Sequence, residues 1–278
     1  DPGYEVKMSK GVHITLPGDA IKADEGVIIK TAVSVLFIIP WKNQWMIGTT
    51  DTEYLGDPNA PLADRSDVQY IIDQANRVLN PRINIDQVIG VFAGLRPLVA
   101  NKKASDTTKL SREHTVDRPL PGFVSLAGGK YTTYRSMAQK ITNVICSRLG
   151  NQAKCQTKHH LLSGAYSVPH SYFYDSGQME LKYQYGITGQ AALQLLNRYG
   201  TKAGLVARYV KDHSSQNEKV LFDLPDLVGE FAYHKDHEMA MLERDFLYQR
   251  TRIGLLSTSS NVAEAARKLT AVTTRAGV

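Results

Sequence analysis

The sequence predicts an α+β chain: an antiparallel-sheet domain that runs into a strand-turn-helix segment, followed by a small all-helical C-terminal domain. Three observations predict it. The first third carries short runs rich in Val, Ile and aromatic residues. Strand-like and helix-like stretches then alternate up to about Leu149. Beyond a linker-like stretch from Gly150 to Ser167, the apolar residues follow helical spacing alone. The expected division is 1–120 for the sheet domain, 121–150 for the strand-turn-helix and 151–278 for the helical domain.

In chain order, Gly26–Lys30, Ser34–Pro40 and Gln44–Thr50 read as three adjacent antiparallel strands, with a tight turn at Lys42–Asn43. His13 precedes an extended stretch, Ile14–Leu16. Asp64 or Ser66 can cap a helix whose Val68, Ile71, Ile72, Ala75, Val78 and Leu79 share one face, ended by Asn80–Pro81. Val88–Leu95 reads as a strand leading into Gly94-Leu95-Arg96-Pro97-Leu98, followed by a polar loop, 100–109. Phe123–Ala127 is a further strand. The helix after it sets Met137, Ala138, Ile141, Val144, Ile145 and Leu149 on one side. In the last domain, helices are expected over Thr188–Tyr199, Leu205–His213, Pro225 to about Tyr248 and Asn261–Leu269.

Composition narrows the function classes. With 278 residues and 42% hydrophobic content, the chain can bury a substantial core. The longest apolar run, Val35–Ile39, is far short of the roughly 20 residues that cross a bilayer, and the N-terminal residues show no secretory pattern. Two cysteines, Cys146 and Cys155, argue against a disulfide framework and for a reducing compartment. The net charge of +6 is dispersed and no nucleic-acid-binding motif accompanies it, so a phosphate on a small substrate or an anionic membrane surface is the better match.

The most informative run is Gly128-Gly129-Lys130-Tyr131-Thr132-Thr133-Tyr134-Arg135. A strand, a glycine pair and a helix start aim backbone N–H groups at an electron-rich ligand, Lys130 adds a charge, and Thr132 or Thr133 can cap the helix. The same turn also serves as an ordinary strand-to-helix connection. Arg96, Arg112 and Lys130 would form an oxyanion clamp if they converge; taken singly, Arg112 pairs as readily with Glu113 on the surface. His13 is suited to move a proton, although seven other histidines compete, His159–His160, His234 and His237 among them. Thr49–Glu53 reads either as a pocket lining or as a polar strand exit. No metal-ligand spacing, Walker A loop, Gly-x-Ser-x-Gly elbow or Gly-x-Gly-x-x-Gly fingerprint is present.

Ser9-Lys10-Gly11-Val12-His13, Ile39-Pro40-Trp41, Ile47-Gly48-Thr49-Thr50-Asp51, Gly94–Leu98, Ser111-Arg112-Glu113-His114 and Gly128–Arg135 together resemble the FAD-dependent glycerol-3-phosphate dehydrogenases of bacteria, with a looser likeness at Gln249–Gly254. Members of that family begin with a Rossmann-type unit whose glycine fingerprint holds FAD, and this sequence starts downstream of it. The resemblance therefore implies the C-terminal part of a longer flavoprotein, with most FAD affinity lost and with apolar edges left open to dimerisation or strand exchange. It further implies oxidation of sn-glycerol 3-phosphate to dihydroxyacetone phosphate by hydride transfer to FAD, and electron delivery to a quinone by a cytoplasmic protein peripheral to the cell membrane. On that resemblance His13 is the base, Arg96 is catalytic as well as substrate-binding, orienting and polarising the substrate oxygens, Arg112 assists at the phosphate, Lys130 contacts substrate and flavin, and Gly128, Gly129, Tyr131 and Thr132 hold the flavin edge. Two alternatives stand beside this: a non-catalytic interaction module without bound FAD, and a glycerol-3-phosphate oxidase that uses oxygen.

Overall fold

A computed structural model describes residues 4–32, 34–101, 114–214 and 218–275. The chain divides into two compact units, 1–160 and 161–278. It combines antiparallel sheet with helices, and its C-terminal unit is helical.

The first unit is organised by β1 (Tyr4–Pro17), a 14-residue strand. It pairs antiparallel with β4 (Gln44–Gly48), β5 (Thr52–Glu53) and β6 (Gly90–Asn101), while β2 (Val27–Lys30) and β3 (Val35–Trp41) extend the sheet beyond β4. The turn at Lys42–Asn43 forms as expected: Trp41 faces Gln44 across it and Lys42 takes a positive φ of 56°. Two strands are longer than the sequence suggested. The N-terminal half of β1, with alternating Lys and Ser, lacks the apolar run that marked the others, and β6 continues through Arg96 and Pro97 to Asn101 because it pairs along β1.

Side-chain alternation gives this sheet two unlike faces. One carries Val12, Ile14, Leu16, Leu36, Ile38 and Ile47, all fully buried against Ile71 and Ile72 of α1 (Arg65–Ala75). Asp64 caps α1 by accepting from the Asp67 N–H at 2.9 Å, and the Asp67 carboxylate accepts from the Asp64 N–H at 3.0 Å in return. The helix stops at Ala75, short of Asn80–Pro81, so Val78 lies outside it and is exposed. Lys10 reaches through the covered face to bond Asp67 at 2.6 Å and Asp64 at 3.3 Å, tying β1 to the start of α1. The other face carries Ser9, Gly11 and His13.

A separate hairpin, β7 (His114–Asp117) and β8 (Ser125–Gly128), leads to α2 (Tyr134–Arg148). The strand expected at Phe123–Ala127 starts two residues later, and Phe123 is exposed. No described residue of α2 is fully buried, so the apolar side read from its spacing is only half covered.

In the second unit, α4 (Gly189–Tyr199) and α5 (Ala203–His213) form close to their expected spans, while α8 (Ser259–Arg275) extends beyond the expected Asn261–Leu269 at both ends. Two expectations fail. A 16-residue helix, α3 (His170–Tyr185), forms where none was read; its tyrosines, Ser176 and Gly177 blur the apolar period, and packing of Phe173 and Leu181 decides the matter. The single helix expected over 225–248 breaks in two. After α6 (Glu230–Glu238), Met239 turns into the left-handed region at φ 55°, and a π-helical turn follows at Asp245–Arg250, before the short α7 (Ile253–Leu256). Two cores fill the unit, one around Leu195, Val206 and Val210, the other around Val228, Phe231, Phe246 and Leu269.

Candidate functional site

The face of the sheet opposite α1 brings His13 and Arg96 together. Register with β6 sets Ser9 opposite Arg96, Gly11 opposite Gly94 and His13 opposite Phe92, while β4 sets Gly48 opposite His13. A Cβ on Gly11 would stand 2.3 Å from Arg96 Nη2, and one on Gly48 would stand 2.3 Å from His13 Cδ2. The guanidinium thus lies across Gly11 and the imidazole across Gly48: each side chain leans over a bare position on the next strand. His13 also stacks on Phe92, ring centres 5.0 Å apart and planes 5° from parallel.

Arg96 is held from behind. Its Nη2 donates to Thr49 Oγ1 at 2.8 Å and its Nη1 to the Thr50 carbonyl at 3.2 Å, with Asp51 Oδ1 at 3.7 Å. The Ser9 hydroxyl donates to the same Asp51 oxygen. Thr50 is buried and locks this segment onto β1, accepting from the Val12 N–H at 3.0 Å. The polar run after β4 is therefore the support that fixes a guanidinium. Burial, and then the nearby Arg96 cation, lower the His13 pKa to about 4, so the imidazole is neutral at pH 7.

The diglycine turn sits at the end of β8, which packs beside β6, the strand that carries Arg96. Gly128 and Gly129 take φ of 76° and 92°, values that favour glycine. Lys130 and Tyr131 are exposed, as is Thr132. Neither threonine caps the helix: Thr133 occupies the position before α2, but its hydroxyl donates to the Lys130 carbonyl at 3.0 Å instead of accepting from the first turn. His114, opposite Gly128 on β7, has its Nε2 buried with no partner among the described residues. Arg112, with Glu113, lies outside the described residues. The structure thus joins His13 and Arg96 on one face and sets Lys130 with Gly128 and Gly129 on the neighbouring hairpin.

A second polar cluster went unread. In the helical unit, Arg198 bonds Glu230 at 2.8 Å and Asp226 at 2.5 Å; Tyr199 Oη donates to Glu230 at 2.5 Å and meets His234 Nε2 at 2.7 Å; and His234 Nδ1 meets Glu238 at 2.9 Å. Asp226, Glu230 and His234 are each at most 1% exposed. The sequence names His234 only as one competing histidine; the Glu230, His234, Glu238 spacing of four on one helical stripe is the signal for the cluster. Among the described residues no group of His, Cys, Asp and Glu could hold a metal, no helix is long and apolar enough to cross a membrane, and both cysteines are free.

Comparisons with known proteins cover nearly the whole chain. Residues 2–135 match the family of FAD dependent oxidoreductases, and residues 155–276 match the C-terminal domain of alpha-glycerophosphate oxidase. The glycerol-3-phosphate dehydrogenase of Mycobacterium leprae is 37% identical over 254 residues, which are 91% of this chain and 43% of that protein. The mitochondrial glycerol-3-phosphate dehydrogenase of Saccharomyces cerevisiae is 28% identical over 89% of this chain and 43% of its own length. Among solved structures, the glycerol-3-phosphate dehydrogenase of Bacillus halodurans complexed with FAD superposes with a TM-score of 0.75 at 25% identity, over 98% of this chain and 52% of that one. The chain spans less than half the length of the curated relatives it matches. Over nearly its whole length the chain is therefore similar to FAD dependent oxidoreductases, glycerol-3-phosphate dehydrogenases among them.

Proposed function

We propose that the chain forms the substrate-facing part of a flavoprotein that oxidises sn-glycerol 3-phosphate to dihydroxyacetone phosphate. The observation that carries this reading is the pairing of a neutral His13 with a fixed Arg96 on the sheet face opposite α1. Removing hydrogen from a secondary alcohol requires the hydroxyl proton to leave, and a neutral imidazole accepts it. Arg96 cannot serve as the base because a guanidinium stays protonated. Held by Thr49, Thr50 and Asp51, it orients the substrate oxygens and stabilises charge that develops on them. Arg112 is assigned to the substrate phosphate.

FAD is the cofactor of this reading. The turn fits it in one respect, the buried His114 Nε2 that has a polar contact to make; the bare side of Gly129 is filled by Met137, whose Sδ would lie 2.5 Å from a Cβ there. Gly128, Gly129, Lys130, Tyr131 and Thr132 would hold the flavin edge, with Lys130 also within the substrate's reach. FAD would supply the hydride acceptor for the substrate C2 hydrogen. On this reading, residues 1–120 bind substrate, 121–150 contact the flavin and 151–278 form the helical domain. We further assign the electrons to a quinone, with peripheral attachment to the cytoplasmic membrane face; the net charge of +6 favours an anionic surface. The match of residues 155–276 to an oxidase's C-terminal domain supports oxygen as the competing acceptor.

In the flavin-loaded protein, Arg96→Ala should lower kcat/KM for sn-glycerol 3-phosphate by about 10²-fold or more, as loss of a fixed charge-stabilising donor does. Dye reduction assayed against oxygen consumption separates the two acceptors. Kinetics that match the unsubstituted protein would remove Arg96 from the site.

A further inference from the structure

The leaning of Arg96 and His13 leaves Gly94 bare on the sheet face opposite α1. Arg96 covers Gly11 on β1 and His13 covers Gly48 on β4, both side chains reaching away from β6. Gly94, on β6 itself, lies opposite Gly11 and between Phe92 and Arg96 on the same side of the strand. A Cβ there would meet no described atom within 4 Å, and Gly94 is exposed. Its φ lies outside the left-handed region, so the backbone does not require glycine. Neither conformation nor packing within the described residues explains the missing side chain. What remains is the space above it, bounded by a cation at Arg96 and by the His13–Phe92 stack.

We propose that Gly94 is the floor of the substrate pocket and a specificity-determining residue, its missing side chain leaving room for the carbinol carbon of a small phosphorylated alcohol between Arg96 and His13. The assignment rests on the function proposed above and adds a size limit to it. A methyl group at position 94 narrows the pocket without disturbing the protein, and a branched side chain fills it.

The test is calorimetric titration of sn-glycerol 3-phosphate into the 278-residue chain, unsubstituted and as Gly94→Ala, Gly94→Val and Arg96→Ala, with a thermal melt of each. Expected are Arg96-dependent binding, weakening of about 10-fold or more for Gly94→Ala, the scale of one misplaced methyl group in a pocket, loss of binding for Gly94→Val, and melting of Gly94→Ala no lower than that of the unsubstituted chain. Arg96-dependent binding that Gly94→Ala leaves unchanged overturns the role of Gly94 and leaves the function standing. A markedly lowered melting temperature for Gly94→Ala overturns it as well, because protein atoms would then occupy the space. Absence of binding, or binding indifferent to Arg96→Ala, removes the proposed function from this face, and the role of Gly94 with it.

Discussion

Arg198→Met isolates the energetic consequence of the buried cluster in the helical unit. Arg198 is the cation between Asp226 and Glu230, whose side chains are 1% and 0% exposed. Methionine preserves much of the apolar stem but leaves two carboxylates buried beside each other without a counter-charge. Breaking a buried pair from one side costs about 3–5 kcal/mol. The unit of residues 161–278 is small enough for a urea m-value of about 2 kcal/mol per molar. The helical transition should therefore move down by roughly 2 M urea, followed by far-UV circular dichroism. Trp41 and Trp45 are the chain's two tryptophans and both lie in the first unit, so tryptophan fluorescence reports that unit separately. Adding Asp226→Asn and Glu230→Gln to Arg198→Met should recover part of the loss, because the uncompensated charge is gone. A shift below about 0.5 M for Arg198→Met alone would refute the reasoning.

Two further outcomes follow from the same geometry. His13 and His234 both have pKa values lowered by burial to about 4 from 6.5, so the unfolded chain binds more protons between those values; their stabilising contribution is complete above pH 6.5 and is lost as the pH falls toward 4, on the order of 2 kcal/mol each by pH 4.5. Urea midpoints at pH 7.5 and 4.5 measure it, and His13→Asn should lessen the acid loss; an unchanged difference would show that His13 is not held neutral. Gly11→Ala should displace the Arg96 guanidinium from Thr49 and Thr50 and lower kcat/KM about as far as Arg96→Ala does, and near-normal kinetics would mean that this placement of Arg96 is not needed.

What the sequence revealed follows from the range of the signal. The β2, β3 and β4 strands were legible because their Val, Ile and aromatic runs and the Lys42–Asn43 turn are local. The α1 cap was legible because Asp64 stands just before an apolar period. The N-terminal half of β1 was not, since Lys7, Ser9 and Lys10 are strand residues only by virtue of the partners that β5 and β6 bring to them. Likewise α3 has a weak apolar period and depends on tertiary packing around Phe173 and Leu181, and the break at Met239 follows no Pro or Gly. At the site, motifs named His13, Arg96 and Lys130, but the support of Arg96 by Thr49–Asp51 is a contact across more than 40 residues. The same holds for Arg198 and Glu230, 32 residues apart, whose pairing no local pattern encodes.

The most direct test of a substrate site at His13 and Arg96 is the titration of the His13 imidazole by nitrogen-15 NMR, its resonance assigned by comparison with His13→Asn. In the ligand-free chain it should titrate near 4. With saturating sn-glycerol 3-phosphate, the negative charge of the bound ligand should raise that value by about one unit or more, as an opposite charge nearby does. A His13 titration that the ligand leaves unmoved would contradict the account.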